Sequence, residues 1–288
     1  MKATELIDAH GELLGWLLPG DRLSDSMIRE GQFHYAVVGS ERVVSFARTD
    51  AAAQRLPARG AVLRALAHLH LGVAVPECLS VAAQGDAVAY LLMTKVSGAP
   101  LDGALLRSPD VAESVARQCH GLLDSLAVAG NDPHIRASLS VAPVDRWQEF
   151  AAAVRGELYP LMSVTGRARA ERELSALDAL PHSTDAVVHG DLGGENLLWD
   201  TVDGLPVLRG VVDWDGVCLG DPAEDFAAIG AGYGPDVLRG VLACTETTGS
   251  DLAARIAAIQ GTFALQQALD AHRDGDEEEL ADGLSGYR

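Results

Sequence analysis

The spacing of apolar residues changes about one third of the way along the chain. Residues 4–18 place apolar side chains at helical intervals, and Pro19-Gly20 ends that stretch, which predicts an opening helix. Residues 27–46 form short runs rich in valine, phenylalanine and tyrosine that are broken by glycines. Such runs are typical of strands, so they predict one strand, a turn and two further strands.

The remainder of this first third predicts one helix and two strands. Residues 50–71 repeat leucine at helical spacing. Residues 76–81 and 88–93 have strand-like composition and flank a turn signal at 84–86. Residues 96–100 have no regular period and contain glycine and proline, so we interpret them as a hinge between two lobes.

Beyond residue 100 the pattern is mainly helical. Five stretches carry an apolar stripe with the period of an α-helix, at 111–128, 144–158, 167–180, 235–243 and 251–272. A β-rich first third followed by a helical remainder predicts an α+β fold with two unequal lobes. We place an N-terminal lobe at 1–95 and a C-terminal lobe at 96–288.

Composition excludes several classes of protein. With 48% hydrophobic and 22% charged residues, the 288-residue chain has a globular composition. No stretch approaches the ~20 uninterrupted apolar residues of a membrane span. The N-terminus lacks the pattern of a secretion signal, so we expect a cytoplasmic protein. The four cysteines are scattered without metal-ligand spacing, which argues against zinc and disulfides: Cys78, Cys119, Cys218 and Cys244.

The formal net charge of −19 bears on the binding partners. Nucleic acids require a basic surface, so this charge argues against them. It favours a cationic ligand, although an acidic surface also keeps proteins soluble. We infer no obligate protein partner.

One region of the second lobe departs from helical periodicity. Two short strands are predicted at 196–200 and 207–213, on either side of a turn signal at 203–204. Asn196 and Asp213 are about equally far from that turn. An antiparallel hairpin therefore brings their side chains to the same end, where they can share a cation.

These residue types suit magnesium-dependent phosphoryl transfer. Magnesium (Mg²⁺) prefers hard oxygen ligands, and the Asn196 carbonyl and the Asp213 carboxylate provide them. Asp191 lies on an irregular loop five residues before Asn196, where it can orient an attacking hydroxyl and accept its proton. We predict Asp191 as the catalytic residue, with Asn196 and Asp213 holding Mg²⁺ on a nucleoside triphosphate. All three are also common turn residues, but their combined spacing between apolar strands favours the functional interpretation.

Neighbouring polar residues receive other assignments. His189 is predicted to hydrogen-bond to the loop backbone. Asp221 and Asp225 lie at a turn and a capped helix start, so both are given structural roles. Glu195 and Asp215 are predicted either to support the metal ligands or to contact the substrate.

Several motifs together resemble the aminoglycoside-phosphotransferase family, whose fold is that of a bilobal protein kinase. They are residues 30–35 (EGQFHY), 188–200 (VHGDLGGENLLWD) and 210–228 (GVVDWDGVCLGDPAEDFAA). Within that family, the whole chain is similar to the viomycin and capreomycin phosphotransferases. The features of this closer similarity are residues 46–49 (FART), 189–196 (HGDLGGEN) and 261–267 (GTFALQQ).

This resemblance implies an antibiotic kinase with a small β-rich N-terminal lobe and a larger, mainly helical C-terminal lobe. It would transfer the γ-phosphate of ATP, or of GTP, to a hydroxyl of a basic cyclic-peptide antibiotic, giving resistance or self-protection. A polycationic substrate would be attracted to carboxylates. The candidate substrate contacts are Glu195, Asp215, Asp270 and Asp274. The resemblance also places the adenine against the hinge, near Met93, Thr94 and Val96.

The chain departs from the kinase pattern at the phosphate-binding lysine. Kinases carry a lysine on the third strand that pairs with the phosphates and with a glutamate of the following helix. Here Ser45 occupies the expected place of the lysine and Gly60 that of the glutamate. The only lysines are Lys2 and Lys95. We expect Ser45 to hydrogen-bond to the nucleotide. Which group replaces the lysine stays open, because Arg48 lies on the opposite face of the strand unless the strand ends before it.

Two alternatives remain at this point. The acceptor could be an aminoglycoside, a macrolide or an amino alcohol rather than a cyclic peptide. The chain could also be a pseudokinase that binds a basic antibiotic without phosphorylating it. Loss of the strand lysine favours a pseudokinase, whereas retention of Asp191, Asn196 and Asp213 together argues against it.

Overall fold

The protein is described by a computed structural model that covers residues 3–31, 33–82, 88–245 and 250–288. The chain forms two compact units. The first contains Met1–Asp102, Asp132–Leu139 and Glu195–Asp215, and the second contains Gly103–Asn131, Ser140–Gly194 and Gly216–Arg288. The chain therefore returns twice to the first unit after leaving it. The lobes predicted at 1–95 and 96–288 stay a prediction.

The described residues contain ten strands. They are β1 (Met27–Glu30), β2 (His34–Val38), β3 (Arg42–Ala47), β4 (Cys78–Ala82), β5 (Tyr90–Thr94), β6 (Ala99–Pro100), β7 (Ala186–Val188), β8 (Leu197–Val202), β9 (Leu205–Val211) and β10 (Cys218–Gly220).

The same residues contain eleven α-helices, none of them long and apolar enough to cross a membrane. They are α1 (Ala3–Leu17), α2 (Asp50–Leu66), α3 (Pro109–Ala129), α4 (Pro133–Ser138), α5 (Arg146–Ala153), α6 (Val164–Asp178), α7 (Ala223–Tyr233), α8 (Pro235–Cys244), α9 (Ser250–Gly261), α10 (Phe263–Asp274) and α11 (Glu277–Gly283). The main sheet precedes residue 100 and most helices follow it, which confirms the predicted α+β class.

Five strands of the first unit form an antiparallel sheet in the order β1-β2-β3-β5-β4. These strands confirm those predicted over 27–46, 76–81 and 88–93, whereas the turn predicted at 84–86 lies outside the described residues. Leucines of α1 share one buried cluster with apolar residues of β2, β3 and β5. The predicted opening helix therefore covers one face of this sheet.

The helix predicted at 50–71 forms, but it ends earlier. Thr49 caps its start, because the Thr49 hydroxyl accepts a hydrogen bond from the Ala52 N–H at 3.1 Å. The helix ends at Leu66, and the N–H groups of His68 and Leu69 then bond to carbonyls only three residues back. The prediction of its end was wrong because apolar spacing continues through this tighter turn, as the burial of Leu71 shows.

The hairpin predicted around residues 203–204 also forms. Strands β8 and β9 pair antiparallel, with β6 on the other edge of β8. Asp203 and Gly204 both have positive φ, at 52° and 81°, which suits a two-residue hairpin turn. The segment predicted as a hinge thus contributes a short strand, and its role as a hinge stays a prediction.

Four of the predicted helices are confirmed in the second unit, as α3, α5, α6 and α8. The π-helical turn Val154–Leu158 continues α5 to the predicted end. The single helix predicted at 251–272 is wrong, because α9 and α10 are separate and Thr262 lies between them. The fully buried Thr262 hydroxyl donates to the Ile259 carbonyl at 2.8 Å and accepts from Gln266 at 3.0 Å. Such a bond from a side chain to the backbone competes with the helical pattern without changing the apolar period.

Candidate active site

The loop that carries Asp191 begins where β7 ends in the second unit. Strand β7 is fully buried and pairs with β10, with Val188 opposite Cys218. His189 follows and is also fully buried, and its Nδ1 accepts a hydrogen bond from the Asp191 N–H at 3.2 Å. This bond confirms the structural role predicted for His189.

Asp225 of α7 holds the start of the same loop. Its two carboxylate oxygens accept hydrogen bonds from the N–H groups of His189, at 2.8 Å, and Gly190, at 3.0 Å. Gly190 has a φ of 87°, a conformation that a side chain would strain. Asp225 is 1% exposed, and this burial raises the pKa of its carboxyl to about 7 although the two N–H bonds oppose the rise. The structural role predicted for Asp225 is confirmed.

Asp191 extends from a loop that is fixed on both sides. Leu192 is fully buried immediately after it. Farther along, a side chain at Gly232 would lie 2.6 Å from the Gly194 backbone nitrogen, so the loop packs tightly against this part of α7. The Asp191 side chain itself is exposed. A held backbone that presents a solvent-accessible carboxylate is suited to orienting a hydroxyl group.

Replacing Asp225 with asparagine is expected to lower the free energy of unfolding by about 1–3 kcal/mol. One backbone N–H would then face the amide NH₂ group instead of an oxygen, which leaves a buried donor unsatisfied. Urea denaturation measures the effect. Asp236→Asn on the exposed start of α8 is the matched control. Equal stability of Asp225→Asn and wild type would contradict the assigned role.

Asp225 also predicts a dependence of stability on pH. Its pKa is about 7 in the folded protein against an ordinary value of 3.8. Between these values the folded protein holds a proton that the unfolded chain has released, so this contribution to the free energy of unfolding falls as pH rises. Asparagine does not titrate, and Asp225→Asn should lack this part of the slope. Parallel stability curves for the two proteins would contradict the prediction.

The β8–β9 hairpin of the first unit carries Asn196 and Asp213. The backbone carbonyl of Asn196 accepts a hydrogen bond from the Val212 N–H at 3.0 Å, and Leu197 pairs with Val211. Asp213 follows β9 with a φ of 64° and an exposed side chain. The hairpin thus places both residues at its open end, as predicted. An amide oxygen and a carboxylate are the hard donors that Mg²⁺ takes together with phosphate and water, so this pair fits the ion chemically.

Trp214 fixes the backbone immediately after Asp213. Its ring is 4% exposed, and its Nε1–H donates to the Val211 carbonyl at 3.0 Å. This contact closes a tight turn between the end of β9 and Asp215. The turn holds Asp213 and Asp215 on either side of a buried anchor.

Sequence reasoning missed Arg59 of α2. Its Nε donates to an Asp215 carboxylate oxygen at 2.6 Å, and its Nη1 lies 3.4 Å from the Ser45 hydroxyl. Gly60 instead faces β4, where a side chain would lie 2.6 Å from Val81. The helix therefore turns Arg59, rather than the next residue, toward Ser45. The available signal was the arginine at position 59, directly before the glycine that occupies the expected place of the glutamate.

The other cations near β3 are directed elsewhere. The Arg48 guanidinium donates to the Gly31 carbonyl at 2.7 Å and pairs with Glu30 at 3.1 Å. Lys95 is exposed, and Lys2 lies outside the described residues. Arg48 follows the end of β3, so its side chain turns back to the loop between β1 and β2.

The pKa of the His34 imidazole is affected by the charges of Arg59 and its neighbours. Burial, then the positive charges of Arg59 and Arg55, lower the pKa of its imidazole to about 4, although Asp215 opposes this. His34 is therefore neutral at pH 7. Its buried Nε2 has no hydrogen-bond partner among the described residues. Burial is the largest cause of this lowered pKa, and the Arg59 charge is the second.

The residues predicted near the adenine separate into two groups. Met93 lines a cavity of about 30 Å³ together with Arg59, Asp213 and Asp215. Thr94 accepts a hydrogen bond from the Glu77 N–H at 2.8 Å, and Val96 is buried close to Gly210. The structure brings only Met93 of these three to the cavity, and the nucleotide contacts of all three stay a prediction.

The predicted substrate contacts are placed as follows. Glu195 is exposed in the first unit, and Asp215 is paired with Arg59. Asp270 and Asp274 are exposed on α10 of the second unit. Their contact with a substrate stays a prediction.

The fold and these motifs define a phosphotransferase of the protein-kinase-like class. A model of the phosphotransferase enzyme family matches residues 29–272, and the chain belongs to this family. It is therefore an enzyme that transfers phosphoryl groups.

A curated relative and two solved structures support this placement. Viomycin phosphotransferase of Streptomyces vinaceus is 61% identical over 285 residues, which cover 98% of this chain and 99% of the relative. The GDP and kanamycin complex of APH(2")-IIia aligns with a TM-score of 0.82 at 19% identity, over 96% of each chain. Macrolide 2'-phosphotransferase MphH from Brachybacterium faecium aligns with a TM-score of 0.66 at 20% identity, over 99% of this chain and 98% of that chain. The two structures confirm the predicted protein-kinase-like fold.

Proposed function

We propose that this phosphotransferase is an antibiotic kinase that transfers the γ-phosphate of ATP to a hydroxyl of a basic cyclic peptide of the viomycin and capreomycin type. The observation that carries the proposal is the 61% identity to viomycin phosphotransferase over 98% of the chain. Phosphorylation would inactivate the antibiotic and give resistance or self-protection. Because the reaction consumes ATP, we place it in the cytoplasm.

Each residue of the kinase pattern has a separate task in this proposal. Asp191 orients the acceptor hydroxyl and takes its proton. Asn196 and Asp213 would hold Mg²⁺, which neutralises charge on the phosphates when it is bound. Asp225 and His189 keep the Asp191 backbone in place through their hydrogen bonds. The chain thus supplies positioning and a proton acceptor, which is most of what phosphoryl transfer requires from a protein.

The proposed nucleotide contacts lie in the N-terminal part of the chain. Ser45 would hydrogen-bond to the nucleotide, and Met93, Thr94 and Val96 would contact the adenine. Residues 1–95 would form the nucleotide-binding lobe, and 96–288 the catalytic and substrate-binding lobe. ATP is the proposed donor and GTP the alternative to test beside it, because APH(2")-IIia was solved with GDP.

The acidic character of the chain supports a polycationic acceptor. At a net charge of −19, long-range attraction would concentrate such a substrate near the protein. Glu195, Asp215, Asp270 and Asp274 are the proposed contacts to its amines and guanidine. A macrolide would instead require a broadly apolar pocket.

Mass spectrometry of the acceptor tests the proposal. Viomycin and capreomycin are incubated with the protein, Mg²⁺ and either ATP or GTP, with kanamycin and erythromycin as parallel acceptors. A gain of one phosphoryl group by the cyclic peptides alone is the expected result. Phosphorylation of kanamycin or erythromycin instead would overturn the assigned substrate class. Binding of the peptides without phosphate transfer would favour a pseudokinase, for which the serine at position 45 is the specific observation.

A further inference from the structure

The phosphate site of a kinase requires a fixed positive charge. The usual arrangement is a strand lysine that is held by a glutamate of the next helix. In this chain β3 offers the neutral Ser45, which is 4% exposed, and the Gly60 position faces β4. Two neutral residues therefore stand where the general kinase pattern has an ion pair.

The geometry of Arg59 supplies such a pair in another way. Its Nε and an Asp215 oxygen are 2.6 Å apart, and its Nη1 is 3.4 Å from the Ser45 hydroxyl. The cation thus comes from α2 instead of β3, and the anion follows the β8–β9 hairpin instead of lying on the helix. The charge nevertheless lies beside the strand position where a kinase carries its lysine.

The contacts of Arg59 leave room for a further anion. A guanidinium has five N–H donors. Within the part of the chain that the structure describes, the contacts to Asp215 and Ser45 use two of them, so three remain for a ligand. The side chain is 19% exposed, and it lines the cavity that Asp213 and Met93 also line. Arg59 is therefore partly desolvated, fixed in orientation and close to a proposed metal ligand.

Other cations near β3 do not share this arrangement. Arg48 pairs with Glu30 and Gly31, and Arg55 lies over the ring of Phe33 at 5.5 Å from its centroid. Lys95 is exposed beyond β5. Among the described residues these contacts distinguish Arg59 as the cation beside both Ser45 and Asp213.

We propose that Arg59 binds the phosphates of the nucleotide and so replaces the strand lysine of kinases. The proposal rests on the proposed function, because it assumes a nucleoside triphosphate as phosphoryl donor. It gives Asp215, which is also a proposed substrate contact, the further task of orienting Arg59. A planar guanidinium suits this task because it can contact two phosphate oxygens at once.

A purely structural ion pair is the competing explanation, and the number of phosphates on the ligand separates the two. Calorimetry measures the affinities of wild type and Arg59→Gln for adenosine, ADP and a non-hydrolysable ATP analogue, with Mg²⁺ present. Glutamine keeps a polar group facing Asp215 and removes the charge. Arg64→Gln, an exposed position on the same helix, is the matched control.

The expected result is a selective loss of phosphate-dependent affinity. Arg59→Gln should weaken binding of the ATP analogue about 10- to 100-fold and leave adenosine binding nearly unchanged. Arg64→Gln should behave like wild type. An unchanged affinity ratio between the ATP analogue and adenosine in Arg59→Gln would overturn the proposal, and so would an equal loss for both ligands. If the wild type bound none of the three ligands, the proposed function itself would fail.

A rescue variant tests the replacement directly. Arg59→Ala is combined with Ser45→Lys, which places a lysine on β3 next to the space that the arginine leaves. The double variant should recover part of the affinity for the ATP analogue that Arg59→Ala loses. No recovery in a double variant that still binds adenosine would count against the replacement. Adenosine binding also reports that each variant is folded.

Discussion

Asp191→Asn should lower the rate of phosphoryl transfer about 10²- to 10⁴-fold while nucleotide affinity stays nearly unchanged. Asparagine has almost the same size as aspartate but cannot accept the hydroxyl proton. The loop should survive the change, because the hydrogen bonds that fix it come from Asp225 and from the His189 ring. The effect should therefore appear in turnover rather than in stability.

Steady-state kinetics with viomycin, together with calorimetry of the ATP analogue, separate these effects. Asp185→Asn is the matched control, since Asp185 is an exposed aspartate that precedes β7 and bonds to Ser183. It should change neither turnover nor affinity. Near-normal turnover in Asp191→Asn would exclude Asp191 as the acceptor of the hydroxyl proton. A parallel loss of nucleotide affinity would point to a disturbed fold instead.

Asp213→Asn should abolish the part of nucleotide affinity that depends on Mg²⁺. Loss of a group that only supports a metal ligand typically costs about 10- to 100-fold in metal affinity, so removal of a direct carboxylate ligand should cost at least that much. Asparagine suits the site as a probe, because Asp213 has a φ of 64° and asparagine tolerates this left-handed conformation. The backbone should therefore keep its course.

Titration of the ATP analogue with Mg²⁺ and with EDTA measures this dependence. Wild type should bind much more tightly with Mg²⁺, whereas Asp213→Asn should bind equally weakly in both. Asp203→Asn is a close control, since Asp203 lies on the same hairpin and also has a positive φ of 52°. Retained dependence on Mg²⁺ in Asp213→Asn would exclude Asp213 as a ligand.

The two substitutions should therefore act on different steps. Asp191→Asn affects transfer with little effect on binding, whereas Asp213→Asn affects binding and, through it, transfer. Arg59→Gln should resemble Asp213→Asn in weakening nucleotide binding. The loss of affinity in Arg59→Gln, however, should increase with the number of phosphates on the ligand. Together these variants separate proton acceptance, metal binding and phosphate binding.

Arg59 also changes the argument for a pseudokinase. That alternative drew its support from the neutral residue at position 45, interpreted as loss of a necessary charge. With a guanidinium beside Ser45, the charge is present on a different element. The serine then leaves space for the arginine, and its hydroxyl accepts a contact from it.

The sequence predicted those features of the fold that depend on local pattern. Short runs rich in valine, phenylalanine and tyrosine predicted β1 to β3. Helical stripes predicted α3, α5, α6 and α8, because burial of one helix face imposes a period on the chain. The ends of the helices were harder to predict from the sequence. Thr262 separates α9 from α10 through hydrogen bonds of its own hydroxyl, which leave the apolar period unchanged.

The sequence by itself was sufficient to predict those residues of the proposed chemistry that lie close together along the chain. Asp191, Asn196 and Asp213 fall within one loop and one hairpin, and hairpin pairing follows from the turn that joins the strands. Only the tertiary structure decided the partner of Asp215, because Arg59 is 156 positions away in the chain. Contact between them depends on the packing of α2 and on its rotation, which directs Arg59 toward Ser45 and Gly60 toward β4. A step of one residue turns a helix by about 100°. The position of that charge was therefore fixed by packing rather than by local pattern.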